Sequence, residues 1–174
     1  GHRNRSNLSN FLAQPDVRCL GVCDCFADRR RQGKAMVDKH YGNQRCFATR
    51  FHEEVFARED IDAVLIGTGD RWHAVLSILA AKSGKDVYCE KPFSMTIAEG
   101  RRLVDITKRY GTVWQCGTQR RSNESYQFVV DVIRRGMIGK LHTMTAVLGG
   151  WQGNGVAVPE PEPDSDTFDY DRWL

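Results

Sequence analysis

The stretch Asp86-Val87-Tyr88-Cys89-Glu90-Lys91-Pro92 decides the fold of this 174-residue chain. It reads as a short apolar strand that stops on an acid, a base and a proline. A helix over 74–82 leads in through Ser83-Gly84-Lys85, and a second helix over 97–110 leads away. In an open α/β sheet ligands bind outside the carboxyl ends of the strands, so a Glu-Lys pair placed there is aimed at a site. Lys91 precedes Pro92, which pushes it into extended geometry and away from a helix. A lysine held at a rigid strand end serves as electrophile, hydrogen-bond donor or proton carrier once a neighbour tunes it. The plainer reading is an exposed Glu-Lys pair followed by a helix-entry proline, and the surrounding sequence decides between the two.

Working outward, strands and helices alternate. Strands are expected over 17–23, 46–48, 63–66 and 112–116, with helices over 27–41, 53–57 and 125–135. Gly42-Asn43 breaks the first of these helices, and Gly136 and Gly139 close the last. Near-continuous apolar strands alternating with helices imply a parallel sheet covered on both faces. Leu8-Ser9-Asn10-Phe11-Leu12 reads as the end of an amphipathic helix with no strand ahead of it. A central strand cannot be omitted without exposing both neighbours' edges, so a first strand is expected before residue 1. After Gly139 the pattern changes. Residues 141–148 alternate as an antiparallel strand does, 149–155 form a glycine-rich loop, and 158–163 read as polyproline-like. The last residues, 169–174, show no turn or cap that finishes an element. The expected fold is therefore α/β. A doubly wound, Rossmann-type parallel sheet fills 1–138, and 139–174 begin a second α/β domain with an open, mostly antiparallel sheet.

Composition narrows the function. The net charge is +3 and hydrophobic residues make up 41% of the chain, which fits a globular protein with a real core. Basic residues are spread over helix faces, with Arg29-Arg30-Arg31 the densest cluster, so nucleic acid is not an expected partner. No apolar run approaches the roughly 20 residues needed to span a bilayer, and no membrane association is expected. Five of the six cysteines lie in or beside expected strands, where a free thiol behaves as a small buried hydrophobe. Cys23 and Cys25 share a strand face, but no second pair completes a metal site. A reduced, cytoplasmic setting follows, with export left open because the chain does not begin with methionine.

Polar residues gather at the strand ends. Asp24 ends the 17–23 strand, about 20 residues beyond the place of a glycine-rich turn, the spacing of a dinucleotide-binding unit. There an acid accepts hydrogen bonds from ribose hydroxyls and repels a 2′-phosphate, which favours NAD over NADP. Its alternative is a strand-end acid capping the next helix, and Arg29 and Arg30 argue weakly for a 2′-phosphate. Gly1, His2, Arg3 and Asn4 would be the tail of the phosphate-binding turn, with Asn4 in its third glycine position. Asn tolerates left-handed geometry but packs less closely than glycine. Thr68-Gly69-Asp70-Arg71-Trp72-His73 follows the 63–66 strand: Thr68 offers a hydroxyl, Asp70 a helix cap, and Trp72 a flat face. His73 alone reads more simply as a first-turn helix residue. Gly117-Thr118-Gln119-Arg120-Arg121 repeats this placement one strand further on.

Gly84 to Pro92 closely resembles the signature of the Gfo/Idh/MocA oxidoreductases (glucose-fructose oxidoreductase, inositol dehydrogenase and relatives). The segments 68–73, 117–121 and 169–174 are similar to that family too. The resemblance implies an N-terminal Rossmann domain, a nicotinamide cofactor, a sugar or polyol substrate, and homo-oligomers formed through the C-terminal sheet. It implies that Lys91 lies beside the nicotinamide and moves the substrate's proton, and that Glu90 supports the ribose or Lys91. It further implies a Lys91–Pro92 bond that can be cis. Thr68, Trp72 and His73 would line the cofactor, Gln119 and Arg120 its nicotinamide end, and Trp173 would cover it from the second domain. Two departures stand out. Gly69 occupies a position where the family commonly has proline, and the family's Asp and His partners of the lysine would lie beyond Leu174, so the segment alone is expected to be inactive. The resulting expectation is NAD-dependent hydride transfer to or from a secondary alcohol. Its rivals are an NAD-assisted glycoside hydrolase and a non-catalytic NAD-binding regulator.

Overall fold

The computed structural model describes residues 2–147, 149 and 164–174, and for His2 and Arg3 the backbone alone. Along the chain run α1 (His2–Leu12), β1 (Gly21–Cys23), α2 (Ala27–Tyr41), β2 (Phe47–Thr49), α3 (His52–Phe56) and β3 (Ala63–Ile66). They continue as α4 (Asp70–Lys82), β4 (Asp86–Glu90), α5 (Ile97–Tyr110), β5 (Trp114–Gly117), α6 (Glu124–Arg134) and α7 (Tyr170–Trp173). The chain divides into two compact units, 1–117 with 162–174 and, separately, 118–161. The described tail, 164–174, belongs to the first of these units.

All strand pairs are parallel, as the alternation predicts. β1 pairs with β2, and β4 lies between β3 and β5, with Ile66 level with Cys89 and Glu90 level with Gly117. No ladder joins β1 to β3 among the described residues. Strand β4 is the most buried, with Val87, Cys89 and Glu90 at 5% exposure or less, as befits a strand covered on both faces. One core joins Ile66, Leu76, Ala80, Val87 and Cys89, and a second joins Leu12, Val37 and Cys46 with Leu8 and Val22 packed against it.

Local chemistry sets the element ends. Gly42 and Gly111 stop α2 and α5 in left-handed geometry, where an L side chain is strained. Thr96 and Glu99 form a reciprocal capping box at the start of α5. Helix α4 starts four residues earlier than its apolar spacing suggests, because Asp70 to His73 form its first turn. Asp70 sits one residue inside that helix and does not cap it; its charge faces the positive helix end instead. The strand expected over 17–23 shrinks to Gly21–Cys23, the part that finds a ladder partner.

In the second unit, Gln119–Ser122 makes one tight helical turn, and Asn123 caps α6 by accepting from Ser125 N–H at 3.1 Å. Residues 141–147 of the expected antiparallel strand join no ladder; an alternating pattern becomes a strand only when another strand pairs with it. Leu148, most of the glycine-rich loop and the polyproline-like stretch lie outside the described residues.

Helix α1 reaches both halves of the first unit. Leu8 and Leu12 join the core beside α2, and the Phe11 ring meets Tyr88 of β4 edge-on at 5.2 Å. Asn4 fills the space above Gly67, where an added Cβ would lie 2.4 Å from Asn4 Oδ1 and 2.9 Å from its Cβ. Gly67 is thus what admits a side chain at position 4. Gly67→Ala is expected to cost about 1–3 kcal/mol by overpacking. Most of that loss should return in the Asn4→Gly/Gly67→Ala double variant. Urea unfolding of the four proteins checks it, and strictly additive losses would dismiss the contact.

Candidate active site

Lys91 is exposed at the carboxyl end of β4, and the Lys91–Pro92 peptide is cis. Its two neighbours are fixed from opposite helices. On one side Glu90, 5% exposed, accepts from Asn7 Nδ2 at 2.6 Å through Oε1 and from Lys91 N–H at 3.3 Å through Oε2. On the other, His73 Nδ1 lies 2.6 Å from the Pro92 carbonyl, an acceptor to which its N–H donates. His73 is 1% exposed, and among the described residues its Nε2 has no hydrogen-bond partner. His73 therefore stands behind the Lys91–Pro92 turn. An amide and an imidazole N–H hold the backbone while Lys91 itself is exposed.

Asp24, just past β1, borders a cleft of about 160 Å³ with Asn4, Arg5, Val22, Arg29 and Arg30. Its Oδ1 accepts from Phe26 N–H at 2.9 Å, a turn-forming bond that leaves the carboxylate on the cleft. The helix-capping alternative is not what forms: Phe26 precedes α2 with no side-chain cap, and Asp24 makes the turn ahead of it instead. Burial and then the Asp24 charge push the Cys25 thiol up to about 11, and burial pushes Cys89 up to about 12. Both stay protonated at neutral pH and offer no nucleophile. Cys23, expected inside the strand, is exposed.

The tail lies along these strand ends. Asp169 N–H donates to Cys25 O at 3.1 Å, and the Trp173 carbonyl accepts from Arg71 Nη2 at 2.7 Å and Trp72 Nε1 at 3.1 Å. Four residues span at most about 14 Å, so one short stretch of tail reaches both the Cys25 backbone after β1 and the Arg71 and Trp72 side chains at the start of α4. Helix α1 adds the end of β4 to this set, since Asn4 packs on Gly67 and Asn7 on Glu90. Asp169 caps α7, Arg172 pairs with Glu53 at 3.0 Å, and the Arg71 guanidinium sits 4.2 Å from the Trp173 ring centre. The terminal residues thus form a capped turn, which the sequence did not suggest, and Trp173 sits with the first unit.

Thr68 is exposed on this edge, donating to the Gly69 carbonyl at 3.2 Å, and Asp70 is exposed beside it. Gln119 and Arg120 belong to the second unit, where Arg120 stacks on Tyr126 at 4.9 Å. Gly1 lies outside the described residues. Asn7 and Phe168 went unnoticed in the sequence. For Asn7 a signal existed: Asn4, Asn7, Leu8 and Phe11 have the spacing of a buried helix stripe, and two of the four are amides.

Replacing Asn7 by Ala leaves a buried carboxylate oxygen without its donor, at a cost of about 1–3 kcal/mol. Asn7→Asp should cost more, since it sets a second acid against Glu90. A denaturation midpoint that moves for neither variant would remove the link.

Residues 5–118 match the Gfo/Idh/MocA model, described as an oxidoreductase family with an NAD-binding Rossmann fold. The chain is 29% identical over 140 residues to the myo-inositol 2-dehydrogenase of Thermotoga maritima, covering 79% of this chain and 40% of that protein. It is 28% identical over 171 residues to a glycosyl hydrolase family 109 protein of Solibacter usitatus, covering 89% of this chain and 38% of that one. The crystal structure of myo-inositol 2-dehydrogenase from Lactobacillus plantarum superposes with a TM-score of 0.70 at 22% identity, covering 80% of this chain and 40% of that one. The chain therefore spans about two fifths of the length of these relatives. With five parallel strands, an acid past β1 and a Glu-Lys-Pro turn ending β4, it belongs to the Gfo/Idh/MocA oxidoreductase family.

Proposed function

We propose that this chain is the cofactor-binding part of an NAD-dependent oxidoreductase acting on a secondary alcohol of a sugar or cyclitol. The observation that carries the reading is Lys91, solvent-facing at a strand end whose flanking residues are both locked. The residues present fit a dinucleotide. The first turn of α1 holds no acid, so its positive end suits a diphosphate. Asp24 on the neighbouring cleft suits unmodified ribose hydroxyls and disfavours a 2′-phosphate, hence NAD over NADP. A bound nicotinamide dinucleotide supplies the hydride acceptor or donor. Lys91 gives or takes the proton of the substrate oxygen, and Glu90 and His73 hold its backbone in place. Thr68, Trp72 and Trp173 are the further cofactor contacts. The likeness to an inositol dehydrogenase supports a cyclitol. The likeness to a family 109 hydrolase over 171 residues favours NAD-assisted glycoside cleavage as the second reading.

The full-length protein is expected to accumulate NADH when given NAD and its polyol; glycoside turnover with no net NADH selects the hydrolase. Lys91→Ala should lower kcat about 10²–10⁴-fold with NAD affinity largely kept, and retained turnover would take Lys91 out of the mechanism. Asp24→Ala should narrow the gap between NAD and NADP affinities measured by titration. An unchanged ratio refutes the ribose role.

A further inference from the structure

Asp24 shares its cleft with three arginines, Arg5, Arg29 and Arg30, of which Arg5 donates through Nη1 to Gln32 Oε1 at 2.9 Å. An arginine free to reach a ribose 2′-phosphate would cancel the discrimination that the acid provides. The structure shows where these cations are engaged. Arg30 Nη1 donates to the Asp24 backbone carbonyl at 2.7 Å, and the next arginine, Arg31, pairs with Asp28. The Arg29 guanidinium carbon rests 3.8 Å from the centre of the Phe26 ring, close enough to lie flat on it. Phe168 of the tail stacks on the same ring at 4.0 Å with 13° between the planes. A guanidinium and a ring at these distances cannot share one face, so Phe26 is held between Arg29 and Phe168.

The backbone fixes Phe168 in that place. Phe26 and Phe168 form an antiparallel bridge, Ala27 N–H donates to Thr167 O at 3.0 Å, and Asp169 N–H to Cys25 O at 3.1 Å. Phe168 is backed in turn by the Tyr170 and Trp173 rings, 6.0 and 5.9 Å away. The tail therefore reaches the residue next but one to Asp24 without touching the acid's carboxylate in any described contact.

We propose that Phe168 is a cofactor-selectivity residue: it pins Phe26 as the seat on which Arg29 rests, so that the Asp24 charge faces the ribose unopposed. The inference rests on the NAD preference proposed above and assigns part of it to a tail residue some 140 positions away in sequence. A guanidinium on an exposed ring is held only modestly, so freeing it should move a ratio of affinities by about two- to fivefold, not by orders of magnitude.

The test is titration of the full-length protein with NADH and with NADPH, read by tryptophan fluorescence. Phe168→Leu keeps an apolar side chain in the tail and removes the flat face. It should raise NADPH affinity relative to NADH about two- to fivefold. Phe26→Leu, which removes the seat itself, should move the ratio the same way and guards against a tail that fails to dock. Adding Arg29→Ala to either variant should return the ratio to its starting value. An unmoved ratio in both variants, a gain that survives Arg29→Ala, or equal losses of both affinities overturns the proposal. A wild-type protein that prefers NADPH overturns the reading of Asp24 beneath it. A wild-type preference for NADH with an unmoved ratio overturns the role of Phe168 alone.

Discussion

A carboxylate taken out of water must be given hydrogen bonds or the fold loses stability. Glu90 receives one from the Asn7 amide and one from its neighbour's backbone N–H, among others. The amide comes from α1, so the strand end and the first helix are one fixed unit. That matters because β1 and β3 share no ladder among the described residues, and side-chain contacts from α1 bridge the two halves instead. Leu8 and Leu12 grip one half, while Phe11, Asn7 and Asn4 grip the other. Burying a charge at the joint makes its geometry specific, since sliding α1 by one residue would strand the acid.

The same edge is closed a second time by the tail. Its backbone bonds to the residues after β1, and its Trp173 carbonyl gathers Arg71 and Trp72 at the start of α4. The Arg172–Glu53 pair and the Arg172 guanidinium 4.4 Å over Phe51 fasten it to α3. Individually such exposed contacts contribute little. Together with the Phe26–Phe168 stack they set several polar strand ends in a fixed arrangement, which a ligand-binding rim requires.

Much of this was readable in the residues. Strand β4, helices α2 and α5, and the glycines that stop them follow from period, apolar runs and left-handed turns, all local properties. Asp24 and Lys91 could be placed because a strand end is itself a local property. What escaped was long-range. Asn7 looks like an ordinary polar helix residue until Glu90, 83 positions away, is brought against it. His73 reads as a helix-start residue, and only the return of the chain at Pro92 shows why it is buried. The start of α4 was misjudged because Asp70 to His73 carry no apolar period. Residues 141–147 show the reverse case, a convincing pattern with no strand beside it.

The lysine's surroundings also explain the choice of locking groups. A cation in place of Asn7 would pair with Glu90 and take its charge out of play at the site. A histidine charged at both nitrogens would have to bury a second N–H at Nε2, where no acceptor is found. An amide holds the acid without adding a cation beside it, and the imidazole Nδ1–H holds the Pro92 carbonyl. The backbone on both sides of Lys91 is therefore fixed by hydrogen bonds that leave Glu90 as the nearest formal charge in sequence, one residue from the ammonium. Pairing the buried acid with an amide thus positions the residue beside Lys91 without bringing in a second charge.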